Sequence, residues 1–260
     1  MPFENLLIDD RGAVRTITVN RPDKLNALNR HTLEELHRAM IEAHGAEGVR
    51  VIVITGSGEK AFVAGADIGE IREQTAVQAR AFSAMGQNLM SLVQSFDKPV
   101  IAAINGFALG GGMELALGCH LRIASTNARL GLPEIKLGIM PGFGGTQRLL
   151  RLVGTTRALE MALTGEPIAA ERAEQLGIVN RVVEPAELDS AVSELAGQLA
   201  QAAPEAVSGI LQAVNQGADT DLQTGLALET ARFALCCATE DMKEGTSAFL
   251  EKRTPEFQGK

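Results

Sequence analysis

No run of lysines and arginines occurs in this 260-residue chain, whose 24 basic against 32 acidic residues give a formal net charge of −8. Nucleic acids and anionic membranes favour a basic face, so neither is an expected partner, and an anionic ligand would need a local basic pocket. No apolar stretch reaches the roughly 18 residues that a bilayer span requires. The opening MPFENLLIDD has neither the basic start nor the apolar run of a secretory signal, so the expected location is cytoplasmic. Cysteine is scarce: Cys119, Cys236 and Cys237 form no C-x-x-C or other metal or redox spacing, and buried thiols are expected. His31, His37 and His44 match no H-E-x-x-H pattern, so a solvated face and no metal are expected of them.

Two further absences narrow the chemistry. There is no G-x-S-x-G elbow, which leaves a serine hydrolase without its nucleophile motif. GSGEKA, residues 56–61, formally satisfies the dinucleotide fingerprint after a strand. FVAG follows it at once, interrupting the helix that should bind pyrophosphate, and no second strand ending in an acid appears about 20 residues later. A nicotinamide cofactor is therefore not expected.

What is present is a chain 45% hydrophobic and 22% charged, the balance of a globular enzyme with one large domain and a small appendage. Short β-branched runs recur: RTITVN from Arg15, VRVIVITG from Val49, PVIAAING from Pro99, LRIAST from Leu121 and IVNRVVE from Ile178. Helix-like segments often follow them, which predicts an α/β body. HTLEELHRAMIEAH places Leu33, Leu36, Met40 and Ile41 on one helical face. Beyond about Asp189 the strand signal stops. Ala- and Leu-rich helices, broken at Pro204 and near Gly217, form a tail expected to pack on the body or on another subunit.

Three glycine-rich turns carry the chemistry. In NGFALGGGMELALGCH, Gly110, Gly111 and Gly112 allow close approach to the main chain, and a helix starting there exposes free N–H groups at its positive end. Glu114 follows in the first turn among apolar neighbours. It either complements the dipole or serves a site, since an unpaired charge there is costly. In ARLGLPEIKLGIMPGFGGTQRL a second acid, Glu134, stands amid apolar residues before another cluster, Gly142, Gly144 and Gly145. Paired acid/base work across one substrate is the reading this arrangement favours. In FVAGADIGE, Ala64 to Asp67 could present a second N–H to the same ligand oxygen, or could be an ordinary loop with Asp67 as N-cap.

These stretches, with NRPDKLNALN, LTGEPIAAERAEQLGIVNRVV and EGTSAFLEKRTPEF, closely resemble the enoyl-CoA hydratase, or crotonase, family along nearly the whole chain. The resemblance implies an α/β spiral of repeated ββα turns over residues 1–195 with the active site, followed by a helical oligomerisation region at 196–260. It implies a homotrimer or a dimer of trimers. It also implies hydration of a trans-2-enoyl-CoA, with Ala66 and Gly111 as oxyanion-hole amides, Glu114 orienting and deprotonating the water, Glu134 supplying the α-proton, and the N–H of Gly142 placing the water. Lys24, Ala64, Ala66, Asp67 and Ile68 would bind the CoA portion, with Phe249 and Lys252 reaching over from a neighbouring subunit. Coenzyme A is then part of the substrate, and no metal or redox cofactor is required. Gly69 departs from relatives that carry a longer polar side chain there, and residues 68–84 would set the acyl-pocket wall. A Δ3,Δ2-enoyl-CoA isomerase, which in this family works with an acid at the position of Glu134, is the nearest alternative. An RNA-binding member of the fold is the other, and it would call for a basic stripe.

Overall fold

The computed structural model describes residues 2–260. In chain order it contains β1 (Leu6–Arg11), β2 (Val14–Val19), α1 (Arg30–Gly45), β3 (Val51–Gly56), β4 (Ala61–Ala64), α2 (Ile68–Arg72), α3 (Ala76–Gln94), β5 (Val100–Ile104) and β6 (Phe107–Leu109). There follow α4 (Gly111–Gly118), β7 (Leu121–Ser125), β8 (Arg129–Gly131), α5 (Gly145–Val153), α6 (Thr155–Thr164), β9 (Ile168–Ala169), α7 (Ala170–Gln175) and β10 (Arg181–Val183). Four helices close the chain: α8 (Leu188–Ala200), α9 (Pro204–Gly217), α10 (Leu222–Cys237) and α11 (Glu240–Glu251).

The strands form two sheets. The larger runs β1-β2-β3-β5-β7-β10, parallel except for the β1–β2 pair, and the smaller runs β4-β6-β8-β9, parallel except for β8–β9. Three consecutive pairs, β3/β4, β5/β6 and β7/β8, each give their first strand to the larger sheet and their second to the smaller. The chain thus winds as a spiral of ββα turns. All five strands expected from the sequence are present, and all five lie in the larger sheet.

The continuous apolar runs of those strands follow from burial on both faces. Side chains alternate along a strand, so Ile52 and Ile54 of β3 enter the main core with Leu33, Leu36 and Met40 of α1, whereas Val51 and Val53 face a second core. That second core is closed by Leu188, Ala191, Val192 and Ala196 of α8. The expected domain division after residue 195 therefore falls inside a helix that packs on the sheet, and the chain leaves the sheet only between α8 and Pro204, the first residue of α9. The turn at 56–61 joins two strands rather than a strand and a helix, as the rejected dinucleotide motif required.

Two expectations need correction. Ile41 is 51% exposed; Ala39 and Ala43 complete the buried face of α1 instead. Cys119 is buried, and burial pushes its thiol up to about 12, but Cys236 is half-buried and Cys237 exposed. His31, His37 and His44 are exposed, as expected. No helix among the described residues is long and apolar enough to cross a membrane.

Helix α4 lies so close to β4 that a Cβ on Gly112 would collide with the carbonyl of Val63. In an open helix Gly→Ala adds about 1 kcal/mol of stability, but overpacking against backbone costs about 1–3 kcal/mol or more and should dominate here. Gly112→Ala is therefore expected to lower the urea midpoint; an unchanged or higher midpoint would show that α4 can shift away.

Candidate active site

The C-terminal ends of β4, β6 and β8, neighbours in the smaller sheet, lead into the three turns that the sequence singles out. Ligands of open α/β sheets bind beyond this end of parallel strands. After β6 the chain turns through Gly110, whose φ of 49° and ψ of −122° suit glycine, and enters α4. A Cβ at Gly110 would lie 2.7 Å from Oε1 of Glu134, so the missing side chain also makes room for the second acid.

Glu114, in the first turn of α4, is 1% exposed. Its Oε1 accepts hydrogen bonds from the backbone N–H groups of Phe143 and Gly145, both at 2.7 Å. Burial is the largest influence on this carboxyl and the negative charge of Glu134 adds to it. Together they outweigh the two amides, which favour the ionised form, and push the pKa up to about 7. Glu134 stands on a short 3₁₀ turn, Pro133–Leu137, after β8. Burial raises its pKa as well, and its Oε2 is buried with no partner among the described residues.

Ala66 and Gly111 supply main-chain donors. The stretch around Leu28 pairs with the turn after β4: Leu28 N donates to Gly65 O at 2.9 Å and Asp67 N to Leu28 O at 2.8 Å. In such a parallel bridge the N–H of Ala66 faces away from the partner strand. Gly111 opens α4, so its N–H has no intrahelical acceptor. A Cβ on Gly111 would lie 3.4 Å from Ala66 N, which places the two positions side by side.

Neighbouring elements hold these turns. Buried Asn26 donates from Nδ2 to Ala61 O and Ser57 O and accepts from Arg21 N on Oδ1, fixing a loop whose Leu25 and Asn26 have positive φ. Arg21 donates to Ala27 O and pairs with Asp67 at 3.0 Å. Across the cavity, the Gly142 carbonyl accepts from Ser83 Oγ at 2.6 Å and Gln87 Nε2 at 3.0 Å. Phe143 stacks edge-on against Phe82, and a Cβ on Gly86 would occupy the Phe143 ring. Arg148 ties the Phe143 carbonyl to Gln94 and Ser91 of α3. The result is a cavity of about 500 Å³ lined by Ala66, Gly111, Glu114, Glu134 and Gly142 together with apolar walls.

The family model for enoyl-CoA hydratase/isomerase matches residues 9–260. A short-chain-enoyl-CoA hydratase from Clostridium acetobutylicum is 47% identical over 253 residues, covering 97% of each chain. A crotonyl-CoA hydratase from Syntrophomonas wolfei is 46% identical over 260 residues, covering all of both. Among solved structures, an enoyl-CoA hydratase from Bacillus anthracis superimposes with a TM-score of 0.96 at 42% identity, covering 99% of this chain and 100% of that one. This chain belongs to the enoyl-CoA hydratase/isomerase family.

Of the site residues expected for a hydratase/isomerase family member, Glu114, Glu134, Ala64, Ala66, Ile68, Gly111 and Gly142 all line the one cavity. Asp67 does not; it caps α2, accepting from Gly69 N at 3.1 Å, and pairs with Arg21. Lys24 is exposed at the end of a short 3₁₀ turn just before the loop that pairs with residues 64–67, outside the cavity lining. Phe249, 83% exposed, and Lys252 lie at the end of α11 and do not line the cavity of their own chain. Residues 68–84 do form much of the wall, through Ile68, Ile71, Gln74, Ala79, Phe82 and Ser83. The sequence reading missed Phe143 and Gly145 as the donors to Glu114, and Asn26, Arg21 and Arg148 as braces. GFGGTQRL signalled free amides but not which group they would serve.

The raised pKa of Glu114 has a stability consequence. Between pH 4.5 and about 7 the native carboxyl holds a proton that the unfolded chain has released, so this group's contribution falls as pH rises through that window and levels off above it. A shift of this size corresponds to roughly 3 kcal/mol. Glu114→Gln, whose Oε1 can still accept both amides, should be more stable than the native chain in urea at pH 8 and nearly equal at pH 4.5. The same difference at both pH values would show that the buried carboxyl does not take up the proton.

Proposed function

We infer that this protein hydrates trans-2-enoyl-CoA thioesters reversibly to 3-hydroxyacyl-CoA, with Glu114 and Glu134 as the acid/base pair. The observation that carries the residue assignment is two carboxyls of raised pKa, one buried and one half-buried, sharing one cavity with two main-chain amides that lack protein acceptors. The hydratase names of full-length relatives at 46–47% identity support the same reaction.

Addition of water to the β-carbon drives negative charge onto the thioester oxygen. Donors at Ala66 and Gly111 meet that charge as it develops, a contribution of about 3–4 kcal/mol per donor in comparable sites. Ionised Glu114 takes a proton from the attacking water, which the N–H of Gly142 helps to place. Protonated Glu134 supplies the α-proton; partial burial raises its pKa. No step calls on a metal or redox cofactor.

The CoA portion lies along residues 64–68 and reaches Lys24, whose 3₁₀ turn precedes the loop that pairs with those residues. Phe249 and Lys252 come from a second copy of the chain, for which α9, α10 and α11 leave apolar side chains such as Ile210, Leu222, Phe233, Phe249 and Leu250 exposed. Burying them between subunits assembles a homotrimer or a dimer of trimers. A cytoplasmic location goes with this reading. An acidic chain without a basic stripe gives an RNA-binding role no footing.

With crotonyl-CoA the conjugated thioester absorbance should fall. Glu114→Gln and Glu134→Gln should each lower kcat by about 10² or more while ester binding survives. Near-native turnover in either variant refutes that residue's role, and conversion of a 3-enoyl-CoA without loss of crotonyl-CoA points to the isomerase. Native kcat/KM should rise as Glu114 ionises, through about pH 7. Sedimentation should give a mass of at least three chains; a single-chain mass contradicts the assembly.

A further inference from the structure

Gln74, between α2 and α3, lines the cavity with a side-chain amide whose Nε2 and Oε1 are both buried and both without a partner among the described residues. Comparable amides nearby are engaged: Asn26 bonds Ala61 and Ser57, Gln78 accepts from Thr75, and Gln87 donates to Gly142. Among the described residues only one other side-chain atom of the cavity lining is buried and unpaired, Oε2 of Glu134, and the proposed reaction uses it. Of the other residues that 68–84 give to the wall, Ile68, Ile71, Ala79 and Phe82 carry no side-chain polar group, and the hydroxyl of Ser83 is engaged by the Gly142 carbonyl. A buried polar group so placed favours a ligand that supplies its hydrogen bonds and disfavours one that does not.

We propose that Gln74 is a specificity-determining residue, hydrogen-bonding a hydroxyl carried on the acyl chain beyond the reacting double bond. This rests on the hydratase reading above. The apolar lining that Gln74 shares, with Ile71, Ala79 and Phe82, suits an acyl chain rather than the polyanionic CoA portion. A hydroxyl accepts from Nε2 and donates to Oε1, satisfying both atoms. A terminal carboxylate would answer Nε2 alone. No lysine or arginine of this chain lines the cavity, and Glu114 and Glu134 already give it negative character, so a second acid on the substrate is disfavoured.

The test compares kcat/KM for plain, ω-hydroxy and ω-carboxy 2-enoyl-CoA esters of matched length, from hexenoyl to decenoyl, each normalised to crotonyl-CoA, in the native protein, Gln74→Leu and Gln74→Met. At one chain length the native protein should favour the hydroxy ester over the plain ester by about tenfold, the worth of one well-placed neutral hydrogen bond, and both variants should reverse that preference. The carboxy ester should be the poorest substrate of the native protein. A hydroxy-to-plain ratio unchanged by both substitutions overturns the proposal, as when water satisfies the amide. An equal loss on plain and hydroxy esters also overturns it, because Gln74 would then serve the shared CoA portion. A native preference for the carboxy ester does so as well. If the native protein hydrates no ester in any series, the reaction assignment itself falls and this proposal with it; hydration of all three series at equal efficiency removes the proposal alone.

Discussion

Two main-chain amides, those of Phe143 and Gly145, converge on one carboxylate oxygen of Glu114, and the geometry of the site depends on that convergence. A carboxyl at 1% exposure would otherwise be free to turn away or be driven out by desolvation. The amides fix its position without neutralising it: burial and the nearby Glu134 still outweigh them, leaving a group that titrates near neutrality. The loop that provides the amides is held by its own carbonyls, with Gly142 O bound by Ser83 and Gln87 and Phe143 O by Arg148. Loop 142–145 is thus locked on both sides, and α3 is the anchor.

The spiral explains why residues far apart in sequence meet. Each ββα turn deposits a short second strand next to the previous one, and three successive strand ends open on the same side. A turn that follows each strand then needs little more than glycine to approach its neighbours. Gly110 makes room for Glu134, Gly111 sits beside Ala66, and Gly112 lets α4 settle on β4. The larger sheet, buried on both faces, supplies the rigidity against which these small strands are positioned.

Five of the six strands of the larger sheet were legible because their β-branched and apolar content marks them, whereas β1, LLIDDR, is half charged and was not expected. The smaller sheet was not legible. β4, β6, β8 and β9 have two to four residues each, too few to display alternation, and glycine turns hide their ends. Recognition of a family, not periodicity, therefore carried the spiral. The two acids were conspicuous, being charges set in apolar segments, whereas their partners were not: a backbone amide has no letter of its own, and only the glycine cluster at 142–145 hinted at it. Asn26 looks like any loop asparagine until the fold brings Ser57 and Ala61 to its side chain. Exposed Phe249 and Lys252 show why one chain is an incomplete guide to a site proposed to span two.

The proton inventory ties the electrostatics to the proposed chemistry. In the proposed hydration Glu114 would gain a proton from water and Glu134 would give one to the α-carbon, so one negative charge would pass from the first carboxyl to the second. If the two carboxyls differed widely in acidity, each unit of difference would add about 1.4 kcal/mol to one direction of a reversible reaction. Burial acts on both and shifts both in the same direction. The negative charge of Glu134 also raises the pKa of Glu114, so the two carboxyls disfavour being ionised together. The cavity is therefore more than a container for the acyl chain: by reducing the solvation of both carboxyls it raises the pKa of each.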